Sequence, residues 1–435
     1  MKRILVTLTA IFFAFQLSAQ QNEAKIRKIT VDEAVLLATD NNISIKIQKS
    51  KLNTLKRKNT FSWGSVGPSA SLSGGMQIPL EKKMASSPDF TYNAEVRLGL
   101  TLTPALYTSI KDAKLRYENG KTSYEDAVRE VEVSVRKLFY NLLYTQEKIN
   151  LSRRNMETAR IRYENNRDKY NRGQLSELAL LQSQYNYESQ RPTIESDEIA
   201  YQNNFASFKQ ALGIPQDEEI QLEGSLSAAV PKGEISVSQT VEELPSIKKS
   251  KASLELQKNT LLAQRFTAYG PSIGASYSYG KSGSSQTKSF NDLITTGNSI
   301  SLSVSLPLDG LIPWSTRASN IAELKAGIKE LELQLENEKT SASLNLQNSI
   351  KNIQQKQNQL ELLERNVDLA QRTYDMTLTS YNHGSSDLLT LQSSSDSLLK
   401  AKTDREYGLY NLISAVLDLE NTLGLPFGTL GRNQE

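Results

Sequence analysis

The chain of 435 residues contains no cysteine and one histidine, His383. Disulfides and thiolate metal sites are therefore excluded, and most zinc, nucleophilic and acid–base chemistries lose their usual side chains. No large excess of one charge exists either: 51 Lys and Arg stand against 48 Asp and Glu, a formal net charge of +3. A nucleic-acid binder would concentrate basic residues on one face, so no nucleic-acid partner is expected. Nothing pairs a nucleophile with a base, and no phosphate-binding glycine loop precedes a helix. Neither an enzyme nor a cofactor is expected. Long apolar runs are also missing. The one apolar stretch, Ile4 to Phe15, follows Lys2 and Arg3 and gives way to Ser18, Ala19 and Gln20. That layout predicts a signal peptide over residues 1–20, too short to span a bilayer as a helix.

What is present is a duplication. "YNRGQLSELALLQ" begins at Tyr170 and "YNHGSSDLLTLQ" at Tyr381, 211 residues later. At that offset Asn155 meets Asn366, Ala159 meets Ala370, Tyr163 meets Tyr374, and "LGIP" at Leu212 meets "LGLP" at Leu423. "TVDE" at Thr30 and "TVEE" at Thr240 both read as capping boxes, and "GPS" occurs at Gly67 and Gly270. The chain divides into repeat one (21–215), a linker or equatorial segment (216–239), repeat two (240–426) and a tail (427–435).

Each repeat opens with a helix, and strict alternation of apolar and polar residues follows "GPS". The alternation predicts strands at about 68–80, 90–104, 271–280 and 298–308. Their length and dyad pattern suit outer-membrane barrel strands. The polar faces are mostly Ser and Thr, with Glu95 and Arg97 as charges suited to a wet lumen. Trp63, Tyr107, Tyr269 and Trp314 stand at the chain ends of one rim, as an interface girdle would. Four strands close no barrel, and an open edge is not tolerated in lipid. Two copies would give eight strands and a filled interior; three would give twelve. The competing reading is a secreted structural or adhesive coiled-coil protein with a soluble β-sheet.

Between the strands, residues 105–172 and 315–383 lack proline and hold one glycine each, Gly120 and Gly327. Val128, Val131, Val135, Leu138 and Leu142 recur in steps of three and four, as do Leu360, Leu363, Val367, Ala370 and Tyr374. These are heptad seams on helices of about 100 Å. Each rod runs into Tyr-Asn-x-Gly, whose glycine supplies a left-handed helix end. Further helices follow at 175–212 and 387–423, with Ser176 and Ser386 as expected N-caps ahead of Glu177 and Asp387. Pro192 should kink the first of them.

The duplicated strand–strand–long helix–turn–helix order, the "TVDEAVLLATDNN" opening, the "GPS" stretches and the two Leu-Gly-x-Pro ends together resemble the TolC-like outer membrane efflux family. The resemblance implies an α+β membrane protein with an internal tandem duplication. It implies a homotrimer whose long antiparallel coiled-coil helices form an α-helical barrel in the periplasm. Above that, a 12-strand transmembrane β-barrel would sit in outer-membrane lipid. It further implies a periplasmic adaptor (membrane fusion) protein and an inner-membrane pump of RND, ABC or MFS type, serving efflux or type I secretion. In the family an acid pair, D-x-x-D, often lines the periplasmic aperture. Here Asp387 matches the first acid and Thr390 replaces the second; Glu177 and Leu180 are taken as the positions in repeat one. Tyr381 and Gly384 join Asp387 as expected gating residues. Tyr170, Asn171, Arg172, Gly173, Ser176, Asn382, His383, Ser385 and Ser386 are the expected adaptor-contact tips.

Overall fold

A computed structural model describes residues 27–81, 88–231, 233, 235, 239–289 and 292–430. The expected signal peptide lies outside the described residues. Repeat one opens with a short strand β1 (Arg27–Ile29) and helix α1 (Val31–Asn41). The capping box at Thr30 forms: its hydroxyl accepts from the Glu33 N–H at 3.4 Å, and the Glu33 carboxylate accepts from the Thr30 N–H at 3.0 Å. Helix α2 (Ile43–Thr60) then leads into strands β2 (Ser69–Gln77) and β3 (Thr91–Leu102). The long helix α3 (Ala105–Asn171) descends from β3 and is followed by α4 (Glu177–Glu188) and α5 (Arg191–Leu212). The single helix expected over 175–212 is thus two, because the chain breaks at Ser189–Gln190 and Pro192 sits in the first turn of α5.

Strand β4 (Ile220–Leu222) and the one-turn helix α6 (Leu226–Ala229) join the halves. Repeat two has α7 (Pro245–Tyr269), β5 (Ser272–Ser284), β6 (Ile294–Ser305), the long helix α8 (Thr316–Asn382) and α9 (Leu388–Leu423). Here the capping box expected at Thr240 does not form. Val241–Glu243 makes a 3-10 turn without a side-chain cap, and α7 starts at Pro245. The ring of Pro245 forces Leu244 into an extended backbone, with ψ 138, so no helix can run through it.

The four longer strands form one antiparallel sheet in the order β2-β3-β5-β6. Cross-strand register puts Leu98, Tyr277 and Ile300 in one row and Arg97, Ser278 and Ser299 in the next. One face is therefore apolar and bare, with Leu72, Ile300 and Leu302 each 77–80% exposed. On the polar face Arg97 donates to Glu95 at 3.1 Å. The sheet's last strand lies earlier than the 298–308 expected from alternation: Pro307 offers no N–H to continue the ladder, and a register shift at Gly280/Lys281 carries pairing back to Ile294. Strands β2 and β6 are open edges within the chain. No helix among the described residues is long and apolar enough to cross a membrane.

Two apolar cores gird the helices about midway. One gathers Ile29, Phe139, Leu142, Phe208 and Leu212; the other gathers Leu244, Ile247, Ile353, Leu412, Leu419 and Leu423, all at most 2% exposed. Strands β1 and β4 pair in parallel against the first. The chain after Gly424 is tied to the second. Glu420 is fully buried, and its carboxylate accepts from the N–H groups of Gly428, Thr429 and Leu430 at 2.8–2.9 Å. Arg129 of α3 donates to the carbonyls of Gly424 and Leu425. The tail to residue 430 is thus part of the equatorial band.

Candidate functional site

The long helices α3 and α8 each have 67 residues, about 100 Å, and end in the same turn. Gly173 and Gly384 adopt φ of 72° and 75°, left-handed values that a side chain disfavours. In each turn the glycine N–H bonds back to a Tyr carbonyl (Tyr170, Tyr381), and the next N–H reaches the residue before it (Lys169, Ser380). This closes the last carbonyls of both rods in a Schellman arrangement. Three residues past each glycine comes the N-cap of the returning helix: Ser176 accepts from the Ala179 N–H at 3.3 Å, and Asp387 from the Thr390 N–H at 2.7 Å. The expected cap at Ser386 is therefore replaced by Asp387, because turn geometry sets the cap position and a carboxylate fills it readily. It follows that Ser176, not Glu177, is the counterpart of Asp387. Glu177 lies in the first turn of α4, and Thr390 lends its N–H to the cap.

Those hydrogen bonds, from Thr390 first and then Leu389, hold the Asp387 carboxyl below its ordinary pKa. The tip residues Tyr170, Asn171, Arg172, Gly173, Ser176, Asn382, His383 and Ser385 are exposed, with Ser386 half-buried. The His383 ring nitrogen lies 2.7 Å from the Thr379 carbonyl, so the ring folds back on its own helix. The rods meet through Tyr381, whose hydroxyl donates to Asn166 at 3.3 Å. At the opposite end of the molecule Trp63, Tyr107, Tyr269 and Trp314 are 42–88% exposed.

Sequence reasoning did not find what lies behind the tips. Asn155 donates to Gln190 at 3.1 Å and accepts from Ser395 at 2.8 Å, bridging α3, the α4–α5 break and α9. Asn166, Ser183, Asn186, Ser394 and Ser395 are all buried, and so is Arg162, at 9% exposure. Arg162 has no ion pair among the described residues. The carboxylate it influences is Asp396, whose pKa is raised by desolvation while Arg162 pulls it down. Interior polar residues at helical spacing read in sequence as solvated faces; only the packing of three helices reveals them.

A family model described as outer membrane efflux protein matches residues 64–214 and 236–425, both repeats. The chain belongs to the outer membrane efflux protein family. Membership makes this an efflux protein, not an enzyme, and leaves the secreted adhesive rod without support. Its fold is that of solved outer membrane channels. The Campylobacter jejuni CmeC channel is similar at TM-score 0.76 and 17% identity, over 93% of this chain and 87% of that one. Vibrio cholerae VceC gives 0.71 and 13%, over 91% and 96%. The open state of the Neisseria gonorrhoeae MtrE channel gives 0.70 and 17%, over 91% and 89%. None of the curated proteins compared matches this efflux protein.

Proposed function

We propose that three copies of this efflux protein close a 12-strand barrel in the outer membrane, continued through the periplasm by a tunnel of their long helices. Cargo passes through it passively. The tips around Gly173 and Gly384 meet a periplasmic adaptor, and a pump of RND, ABC or MFS type in the inner membrane supplies the energy. At the closed end Tyr381 and Asn166 hold the two hairpins of each chain together. Asp387 sets the turn as a cap, and the exposed tip residues offer backbone and hydroxyl groups for adaptor contact. Glu95 and Arg97 line the barrel interior, while Trp63, Tyr107, Tyr269 and Trp314 ring its periplasmic rim. The observation that carries this reading is the sheet: its apolar face is bare, both of its edges are open, and lipid tolerates no open edge.

Because the chain has no cysteine of its own, introduced thiols test it cleanly. Ser73→Cys on β2 is combined in turn with Ser299→Cys, Ser301→Cys and Ser303→Cys on β6, and outer membranes are oxidised. One register should give a covalent trimer on a non-reducing gel. Absence of crosslinked trimer at every register, in protein that reaches the membrane, refutes the closed ring.

A further inference from the structure

The two helices that rise to the sheet are counterparts, yet their cations are placed and paired differently. Helix α2 carries Lys46, Lys49, Lys51, Lys56, Arg57 and Lys58 and not one carboxylate. All six are exposed, and none forms an ion pair among the described residues. In α7 three of the five cations are paired: Lys249 faces Asp126, Lys251 faces Glu242, and Lys258 faces Glu255 and Glu332, while Lys248 and Arg265 form no ion pair among the described residues. Counting back from Gly67 and Gly270, the positions of Lys56, Arg57 and Lys58 become Asn259, Thr260 and Leu261. Asn259 is buried and donates to the Thr108 carbonyl at 2.9 Å. The last turn of α7 has no basic residue, and the nearby Arg317 is engaged with the Thr267 carbonyl.

The three cations nearest the sheet also have apolar company. Phe61 and Trp63 follow at once, each 70% exposed. The Ser62 hydroxyl donates to the Asn59 carbonyl at 2.7 Å and the Gly64 N–H to the Phe61 carbonyl at 2.9 Å, fixing both rings to the end of α2. Exposed aromatics beside cations at the foot of an apolar sheet match a bilayer interface, where rings sit at headgroup level and long cationic side chains reach phosphates.

We propose that Lys56, Arg57 and Lys58, with Phe61 and Trp63, form a binding surface for anionic phospholipid headgroups in the periplasm-facing leaflet. It occurs once per chain, so a trimer carries three such patches, alternating with three upper ends of α7 whose one cation is Arg265. The proposal rests on the membrane-embedded trimer reading. It is tested on detergent-purified trimer by native mass spectrometry with phosphatidylglycerol against phosphatidylethanolamine. Wild-type trimer should retain phosphatidylglycerol preferentially. Each cation near an anionic surface is worth about fivefold, so K56Q/R57Q/K58Q together should weaken retention on the order of 100-fold. The control K46Q/K49Q/K51Q, lower on the same helix, should stay within about twofold of wild type if proximity to the interface matters. Equal loss in both variants, or no lipid preference in wild type, overturns the inference, as does binding of anionic cell-wall fragments through the same residues in place of lipid. Failure to isolate any trimer would instead count against the assembly itself.

Discussion

The equatorial and distal stretches of this molecule share helices α3 and α9 but not their interiors. At the equator the buried positions are mostly apolar, among them Phe139, Leu142, Phe208, Leu412 and Leu419; toward the tips Arg162, Asn166, Ser183, Asn186, Ser394 and Ser395 are buried beside Ala159, Leu391 and Leu398. Helix α3 runs unbroken through both, so along it the difference lies in side-chain chemistry. An apolar core resists a change of shape, since any rearrangement opens cavities. Polar layers can exchange one partner for another or for water at small net cost. One continuous rod thereby combines a fixed girdle with an adjustable end, which suits the passive conduit proposed above.

The comparison can be broken at the girdle first. Phe139, 1% exposed and packed against Phe208 with ring centroids 6.1 Å apart, should cost about 3–5 kcal/mol when changed to Ala. Thermal unfolding of the purified protein would read this out; a loss no larger than for Asn155→Ala would erase the distinction. A smaller effect is expected at the tip. Tyr381→Phe removes the link to Asn166, about 1 kcal/mol, and should raise open probability in single-channel recordings roughly fivefold while leaving melting nearly unchanged. A wild-type open probability in that variant would show the link to be idle.

The subtlest test uses acid, because the carboxyls of Asp387 and Asp396 are shifted in opposite directions from the ordinary value. The raised pKa of Asp396 favours its protonated form in the fold. Its stabilisation is complete below the unfolded pKa and is lost as pH rises through the folded one. Asp387 is lowered, so its cap is fully effective above the unfolded value and fails only as pH falls through the depressed one. A mild-acid shift in tip hydrogen exchange should therefore vanish in Asp396→Asn and survive in Asp387→Asn, whose amide still caps. The reverse pattern would return the acid response to Asp387.

Much of this was legible because it is local. Alternation from Thr91 to Leu102 and the Tyr-Asn-x-Gly turns need no tertiary partner to be understood. Boundaries were missed where a single proline intervenes, as at Pro245 and Pro307. Asp387 was taken as a first-turn acid because both Ser386 and Asp387 are good caps and only the turn's spacing chooses between them. Arg162 and Glu420 were invisible for a different reason. Whether a charged residue is buried depends on helices far away in sequence, and nothing in "LDLENTL" announces that Glu420 will gather the N–H groups of the tail.

The unpaired margins of β2 and β6 also constrain biogenesis. A lone chain would have to dissolve a row of free peptide groups in hydrocarbon, so insertion cannot precede association. In the trimer proposed above, membrane entry is a three-body event, and its rate should climb steeply with expression level.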